Sequence, residues 1–386
     1  MIKQFKPKHR LISMFIKFNE GNLDVTFLLI VLALLTTGLI MLFSAGYSYA
    51  YYKYHDSTHF IARQALFAFI GILVMLFISR IDFNCFRTWA TVGIVISLIL
   101  LLAVLVLPEY KPGFKRWIDL GPITFQPSEI AKIGIVLFFA WACEKWQQRL
   151  KHDWKLQVAF IAVAGLFSLL VFVENHLSGA ILMALLSVIM LFIGGLNRWW
   201  FIVLVVVMVL GVVVLLAKPD LLKDYMGERI TAWLDKDYDP TGARWQTNQS
   251  LNAIGSGGLL GQGLGESKQK HMYVSEPQND FIFAIVCEEL GFVGAAVILI
   301  LFALLVWRGF VIGMSCRSRF GAAVAMGIVF QVGLQTVLNI FVVTDTMPNT
   351  GISLPFFSYG GTSLLMLLAE MGMVLSISRQ SDVAKK

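Results

Sequence analysis

The chain has 386 residues, 58% of them hydrophobic and only 14% charged, with a formal net charge of +7. A soluble domain carries roughly a quarter charged residues, so this composition excludes one and points to the bilayer. Anionic lipid headgroups account for the basic excess, and nothing in it calls for nucleic acid.

Residues 1–24 form a basic segment containing Lys3, Lys6, Lys8, Arg10 and Lys17. The first charge-free run, Val25 to Tyr52, is too long for a signal-peptide core and reads as a retained span. Further runs without Asp, Glu, Lys or Arg cover Thr88 to Pro108, Leu156 to Val173, Trp199 to Ala217 and Phe320 to Thr344. Each is long enough to cross the hydrocarbon core, which takes roughly 20 apolar residues. Apolar stretches at 60–79, 128–146, 178–196, 281–307 and 362–378 bring the spans to ten. None has the period-2 alternation of a barrel strand. The predicted fold is therefore all-α: a polytopic integral membrane protein with ten transmembrane helices over 25–378. One large extracytoplasmic loop covers 218–279, and a short tail covers 379–386.

Basic residues orient the chain through the positive-inside bias. With the N-terminus inside, the inner segments hold 18 Lys and Arg, whereas the short outer loops hold only Lys53, Lys111, Lys115 and Arg116. Both termini are expected in the cytoplasm. The cysteines (Cys85, Cys143, Cys287 and Cys316) lack CxxC spacing and no His pair has ligand spacing, so neither a disulfide nor a zinc site is expected. No internal repeat marks the inverted halves of a transporter.

Within the large loop, Pro219 to Trp233 reads as a helix of mixed polarity lying on the membrane. Asp239-Pro240 and Thr241-Gly242 break the chain before a second short helix over Arg244 to Ile254. Gly261, Gly263 and Gly265 then allow two readings, a backbone cradle for phosphate or tight turns at the membrane surface.

Three constellations can carry chemistry. Glu129 and Lys132 share a face of the fourth span. They are either a salt bridge that fixes packing or a lysine facing a pyrophosphate with Glu129 orienting it. Asp280 opens the eighth span as a helix N-cap or as a functional carboxylate. Glu288 and Glu289 lie roughly 12 Å deeper along that helix, where structural pairing is favoured. Met347 to Gly351 and Leu354 to Ser363 hold two prolines and several glycines and hydroxyls, which suits a re-entrant cavity wall or a structural kink. All three constellations, together with Arg116 and the Glu174-Asn175-His176 turn, map to the outer side. That clustering predicts a site at the outer leaflet, not at the midplane expected of many transporters.

Three blocks resemble the SEDS family (shape, elongation, division and sporulation) of peptidoglycan glycosyltransferases. They are Arg116-Trp117-Ile118 through Gln126 to Lys132, Gln249-Ser250 through Glu289-Leu290-Gly291, and Pro355 through Ser363. The resemblance spans the whole transmembrane region. Gln269-Lys270, Tyr273 and Glu276-Pro277-Gln278 are closer to the FtsW and SpoVE branch than to RodA. Two features depart from it: Glu174 to Ser178 replaces the usual Pro-Asp-Leu-Gly turn, and Ser275 stands where Pro is common.

The resemblance implies polymerisation of lipid II, the undecaprenyl-pyrophosphate-linked disaccharide-pentapeptide, at the outer face of the bacterial cytoplasmic membrane. It also implies a class B penicillin-binding protein as partner, alongside other cell-wall synthesis or divisome proteins. Asp280 would be the catalytic carboxylate and Glu129/Lys132 an essential pair. Arg116, Lys132 and either Lys268 or Lys270 would face the pyrophosphate, with Gln278, Ser358 and Tyr359 as further substrate contacts. A divalent cation, Mg²⁺ or Mn²⁺, can assist the pyrophosphate, although no dedicated ligand cluster is visible in the sequence. Two other classes compete: a lipid II flippase, and a non-catalytic scaffold of the cell-wall synthesis complex.

Overall fold

The computed structural model describes residues 21–108, 115–119, 121, 124–218, 224–239, 241–242 and 244–381. The basic N-terminal segment up to residue 20 and most of the tail lie outside the described residues. The regular structure of the described residues is helical apart from a two-residue antiparallel ladder, β1 (Ile118–Asp119) with β2 (Thr124–Phe125).

The helices run in chain order as α1 (Val25–Tyr54), α2 (His59–Ile78), α3 (Asn84–Val106), α4 (Pro127–His152), α5 (Trp154–Val173), α6 (Leu177–Ile193) and α7 (Arg198–Ala217). Then come α8 (Asp224–Leu234), α9 (Trp245–Gly257), α10 (Ile282–Met314), α11 (Arg319–Val343) and α12 (Gly361–Ser378). Seven of them, α1, α2, α3, α5, α10, α11 and α12, are long and apolar enough to cross a membrane. Together with the exposed apolar residues along α2, α3 and α7, these helices mark a multi-pass membrane protein. Three further helices fall on the remaining predicted spans: charged α4, and the apolar α6 and α7.

Local chemistry sets several helix starts. Asp24 Oδ1 accepts the Phe27 amide at 2.8 Å to begin α1, and Pro127 opens α4, where a missing N–H costs nothing. Asp24 also pairs with Arg308 at 2.9 Å, and its amide meets Ser378 Oγ at 3.2 Å, tying α1, α10 and α12 at one end. Twenty residues further along α1, about 30 Å at the helical rise, Ser44 Oγ donates to Glu289 at 2.7 Å. These two contacts therefore bracket roughly the thickness of a hydrocarbon core.

α10 is not one continuous rod. Gly291 sits at φ +66, a left-handed conformation that interrupts the helical ladder. The loop after α9 satisfies the freed groups. Gln262 and Gly263 amides donate to the Glu288 and Glu289 carbonyls at 2.9 and 3.0 Å, and Phe292 and Val293 amides donate to Gly258 and Leu259 at 2.9 and 3.1 Å. A side chain at Gly257 or Gly261 would collide with the Cys287 or Glu289 carbonyl. Gly257 and Gly261 thus serve close backbone packing against α10, a role outside both readings of the glycine-rich stretch.

Candidate active site

At the end of the bundle marked by Glu289, three irregular segments close on one another. Asn339, on α11, donates its Nδ2 to the Asp280 carbonyl at 2.8 Å and to the Ile352 carbonyl at 2.7 Å. Ser358 Oγ donates to the Asn279 carbonyl at 2.8 Å and accepts the Leu354 amide at 2.7 Å. The Tyr359 amide donates to the Gln278 carbonyl at 2.9 Å. On α2, Gln64 completes the clasp, receiving the Gly360 amide at 3.2 Å and donating to the Ser358 carbonyl at 3.3 Å. Asp280 does not cap α10: the N-cap position belongs to Phe281, which has no side-chain cap bond.

These segments wall a cavity of about 920 Å³. Asp280, Gln278, Arg116, Glu129, Lys132, Ser358 and Tyr359, all singled out from the sequence, line it. A Cβ added to Gly351 (φ +71) would lie 3.1 Å from Asp280 Oδ2 and 3.3 Å from Arg116 Nη2, so carboxylate and guanidinium flank that glycine together. Arg229 of α8 reaches the same wall and donates to the Asn349 carbonyl at 3.1 Å. Burial pushes the Asp280 carboxyl above the usual carboxylate range, while Arg116 and Arg229 draw it back and Glu276 adds to the rise.

One turn into α4, Lys132 Nζ pairs with Glu129 at 2.9 Å and donates to Gln335 Oε1 at 3.0 Å. Gln335 donates onward to the Ser353 carbonyl at 3.0 Å, which fixes the lysine against the re-entrant segment. Buried polar atoms on the wall, among them Ser128 Oγ, Gln278 Oε1 and Gln331 Oε1, have no hydrogen-bond partner among the described residues and stand ready for a ligand's hydroxyls or amides. The cavity descends to Gln331 and Glu370, where Gln331 Nε2 donates to the carboxylate at 2.8 and 2.9 Å. Below Glu370 the core closes with buried Met371, Val374 and Leu375.

Lys270 requires a correction. Its ammonium does not line the cavity; it is fully buried in an ion pair with Glu289 at 2.7 Å and bonded to the Gly265 carbonyl. Burial in a low-dielectric setting demands such a partner, and Glu289 supplies it. Glu288 is likewise committed to structure, accepting from Ser267 Oγ and from the Lys268 amide at 3.0 Å.

The α5–α6 turn, whose sequence departs from the family pattern, packs beside Arg116. Burial pushes the Glu174 carboxyl up to about 9 despite that arginine, so at neutral pH it is a neutral acid. Burial together with Arg116 and Lys132 holds His176 well below its ordinary value, leaving a neutral ring whose Nδ1 lies 3.3 Å from Gln126 Nε2. Among the described residues no group of three or more His, Cys, Asp or Glu is gathered to hold a metal ion. Arg116, Arg229 and Lys132 bring positive charge to the wall. Sequence reading missed Arg229, Gln335 and Asn339; Arg229 gave no signal beyond one basic residue on a helix of mixed polarity.

The family model described as "Cell cycle protein", covering FtsW, RodA and SpoVE, matches residues 25–383. Stage V sporulation protein E of Bacillus subtilis (strain 168) is 39% identical over 93% of this chain and 97% of its own length. A probable peptidoglycan glycosyltransferase FtsW of Trichlorobacter lovleyi is 38% identical over 94% of each chain. Among solved structures, a chain of a peptidoglycan synthase complex that coordinates polymerization and crosslinking superposes with a TM-score of 0.76 at 27% identity, covering 92% of this chain and 98% of that one. The Thermus thermophilus rod shape determining protein RodA gives 0.66 at 27% identity over 93% and 97%. The match over nearly the whole chain, in sequence and in fold, makes this protein a member of the FtsW, RodA and SpoVE family.

Proposed function

We propose that this protein is a peptidoglycan glycosyltransferase that polymerises lipid II, with Asp280 as the base. The observation that carries the reading is the Asp280 carboxylate set beside two guanidinium groups on the wall of a cavity, in a chain of this family. Ten helices cross the cytoplasmic membrane, both termini lie inside, and the cavity opens at the outer leaflet. A cysteine at position 239 labelled by an impermeant maleimide in intact spheroplasts reads that orientation.

The chemistry follows from the groups present. Asp280 takes the proton of the acceptor sugar's 4-hydroxyl as its oxygen bonds to the donor's anomeric carbon. The bond from that carbon to the pyrophosphate oxygen breaks, and the pyrophosphate leaves with the electron pair. Arg116, Arg229 and Lys132 stabilise the charge that develops there. One carboxylate suffices because pyrophosphate departs without protonation, unlike the leaving group of a two-carboxylate glycosidase. The charged groups gathered in this one cavity, with buried Met371, Val374 and Leu375 following Glu370 along α12, support this reading over a flippase, which needs a polar route to the opposite face. A class B penicillin-binding protein is the proposed partner. Purified protein with that partner should convert labelled lipid II into glycan strands; intact lipid II recovered after incubation would overturn the assignment.

A further inference from the structure

A glycosyltransferase that joins two pyrophosphate lipids must hold two pyrophosphates, and the cavity wall carries two separate cationic groups. The charges acting on Asp280 are Arg116, Arg229 and Glu276. Glu276, at the other end of the same short segment, faces a different set. It accepts from Tyr49 Oη at 3.4 Å, and Lys53 Nζ donates to that hydroxyl at 3.5 Å. The Lys53 ammonium also sits 5.5 Å from the ring centroids of both Tyr49 and Tyr54.

On α2, His59, Arg63 and Phe67 recur every four residues and all line the cavity, so they form one helical stripe facing it. Phe67 packs against Gly361, the first residue of α12. That helix start has no side-chain cap, and with Ser363 it lines the cavity, presenting the positive end of the helix dipole. Phe60 and Tyr359, with ring centroids 4.9 Å apart, add aromatic surface to the same cavity. Lys53 and Arg63 are exposed, and among the described residues neither forms a salt bridge with a carboxylate. Their charge is open to an anion.

Bond connectivity tells the two pyrophosphates apart. The donor's pyrophosphate is bonded to the very carbon under attack, so it must lie beside Asp280. The acceptor's pyrophosphate is separated from the reacting 4-hydroxyl by the length of its disaccharide, so it must lie elsewhere on the wall. The geometry points to Lys53, Arg63 and the amino end of α12 as the site for the acceptor lipid's pyrophosphate, with Arg116, Arg229 and Lys132 serving the donor's. This assignment rests on the glycosyltransferase reading above.

The test is a single coupling between two lipid analogues in phosphatidylcholine vesicles, using the full chain with its partner. A lipid II whose 4-hydroxyl is blocked serves only as donor. One with a carbon in place of the anomeric oxygen cannot lose pyrophosphate and serves only as acceptor. Lys53→Gln with Arg63→Gln keeps most of the side-chain packing and removes both charges. The acceptor KM should rise about tenfold or more, as expected when charge-assisted hydrogen bonds are lost, with donor KM and kcat within about twofold of wild type. Lys53→Arg with Arg63→Lys should restore most of the acceptor affinity, and Arg116→Ala should act on donor parameters instead.

An unchanged acceptor KM, or a rise in donor KM, while wild type couples normally overturns the assignment alone. An effect that appears only when phosphatidylglycerol is added makes the group a phospholipid headgroup site and also rejects it. A wild-type protein that couples nothing overturns the glycosyltransferase reading and the assignment together.

Discussion

Replacing Lys270 with Met tests whether this lysine is a buried strut or a substrate contact. Its ammonium lies 2.7 Å from Glu289 Oε1, and both side chains are fully buried. Ser44 Oγ donates to the same carboxylate at 2.7 Å. Removing the cation leaves Glu289 buried with one hydroxyl for support, which costs about 3–5 kcal/mol. That corresponds to roughly a hundredfold to several thousandfold in the folded-to-unfolded ratio. Thermal unfolding of the detergent-purified protein should show a large drop in midpoint, while the surviving folded fraction keeps its KM for lipid II. Adding Glu289→Leu removes the stranded charge and should recover much of the lost stability, because apolar replacement of a buried pair is often close to neutral. A Lys270→Met protein with wild-type stability and a raised KM would refute this reasoning and return Lys270 to the substrate.

Lys132→Met breaks both the 2.9 Å pair with Glu129 and the 3.0 Å bond to Gln335, so folded yield and polymerisation should fall together. Adding Glu129→Leu should restore yield but not activity, and a fully active double variant would remove Lys132 from the chemistry. Gly351→Ala forces a side chain into φ +71 at about 1–2 kcal/mol and sets its Cβ 3.1 Å from Asp280 Oδ2. The turnover rate should fall about tenfold or more through misplacement of the base, and wild-type turnover would contradict the placement of the two groups. Burial raises the Asp280 pKa, so activity should climb with pH through an inflection above the usual carboxylate range and level off beyond it. Arg116→Ala removes a charge that lowers this pKa and should move the inflection to higher pH. The same sign governs stability: Asp280 favours the folded state below its unfolded pKa, and this contribution is lost as pH rises through the folded value.

Much of this site was legible because the chemistry gathers at helix ends. Glu129 and Lys132 share a face by helical spacing alone, and the prolines and glycines of 347–363 rule out plain helix, which is why that segment forms cavity wall. Gln278, Ser358 and Tyr359 follow from the same irregular backbone. The Asn339 bridge between Asp280 and Ile352 joins residues far apart in sequence, and no local pattern announces it. Lys270 misled because a lysine in a polar loop looks solvated, whereas this loop folds back onto the break at Gly291 and carries the ammonium into the core. Glu289, read as a structural partner, was the available clue to where that lysine goes. Lys53 entered the sequence reading only as one of the basic residues of the outer loops, and His59 and Arg63 were not singled out; the packing of α2 on α12 places all three at the cavity.

The central claim is that Asp280 accepts the acceptor's proton, and Asp280→Asn examines it most directly. The substitution keeps the side chain's shape and leaves the Asn339 bond to the backbone carbonyl intact. Polymerisation of labelled lipid II by the purified variant with its partner should fall by about 100-fold or more, the scale of a general base, at normal membrane abundance and partner binding. A well-folded Asp280→Asn protein that still makes glycan strands at a rate near wild type would contradict the account.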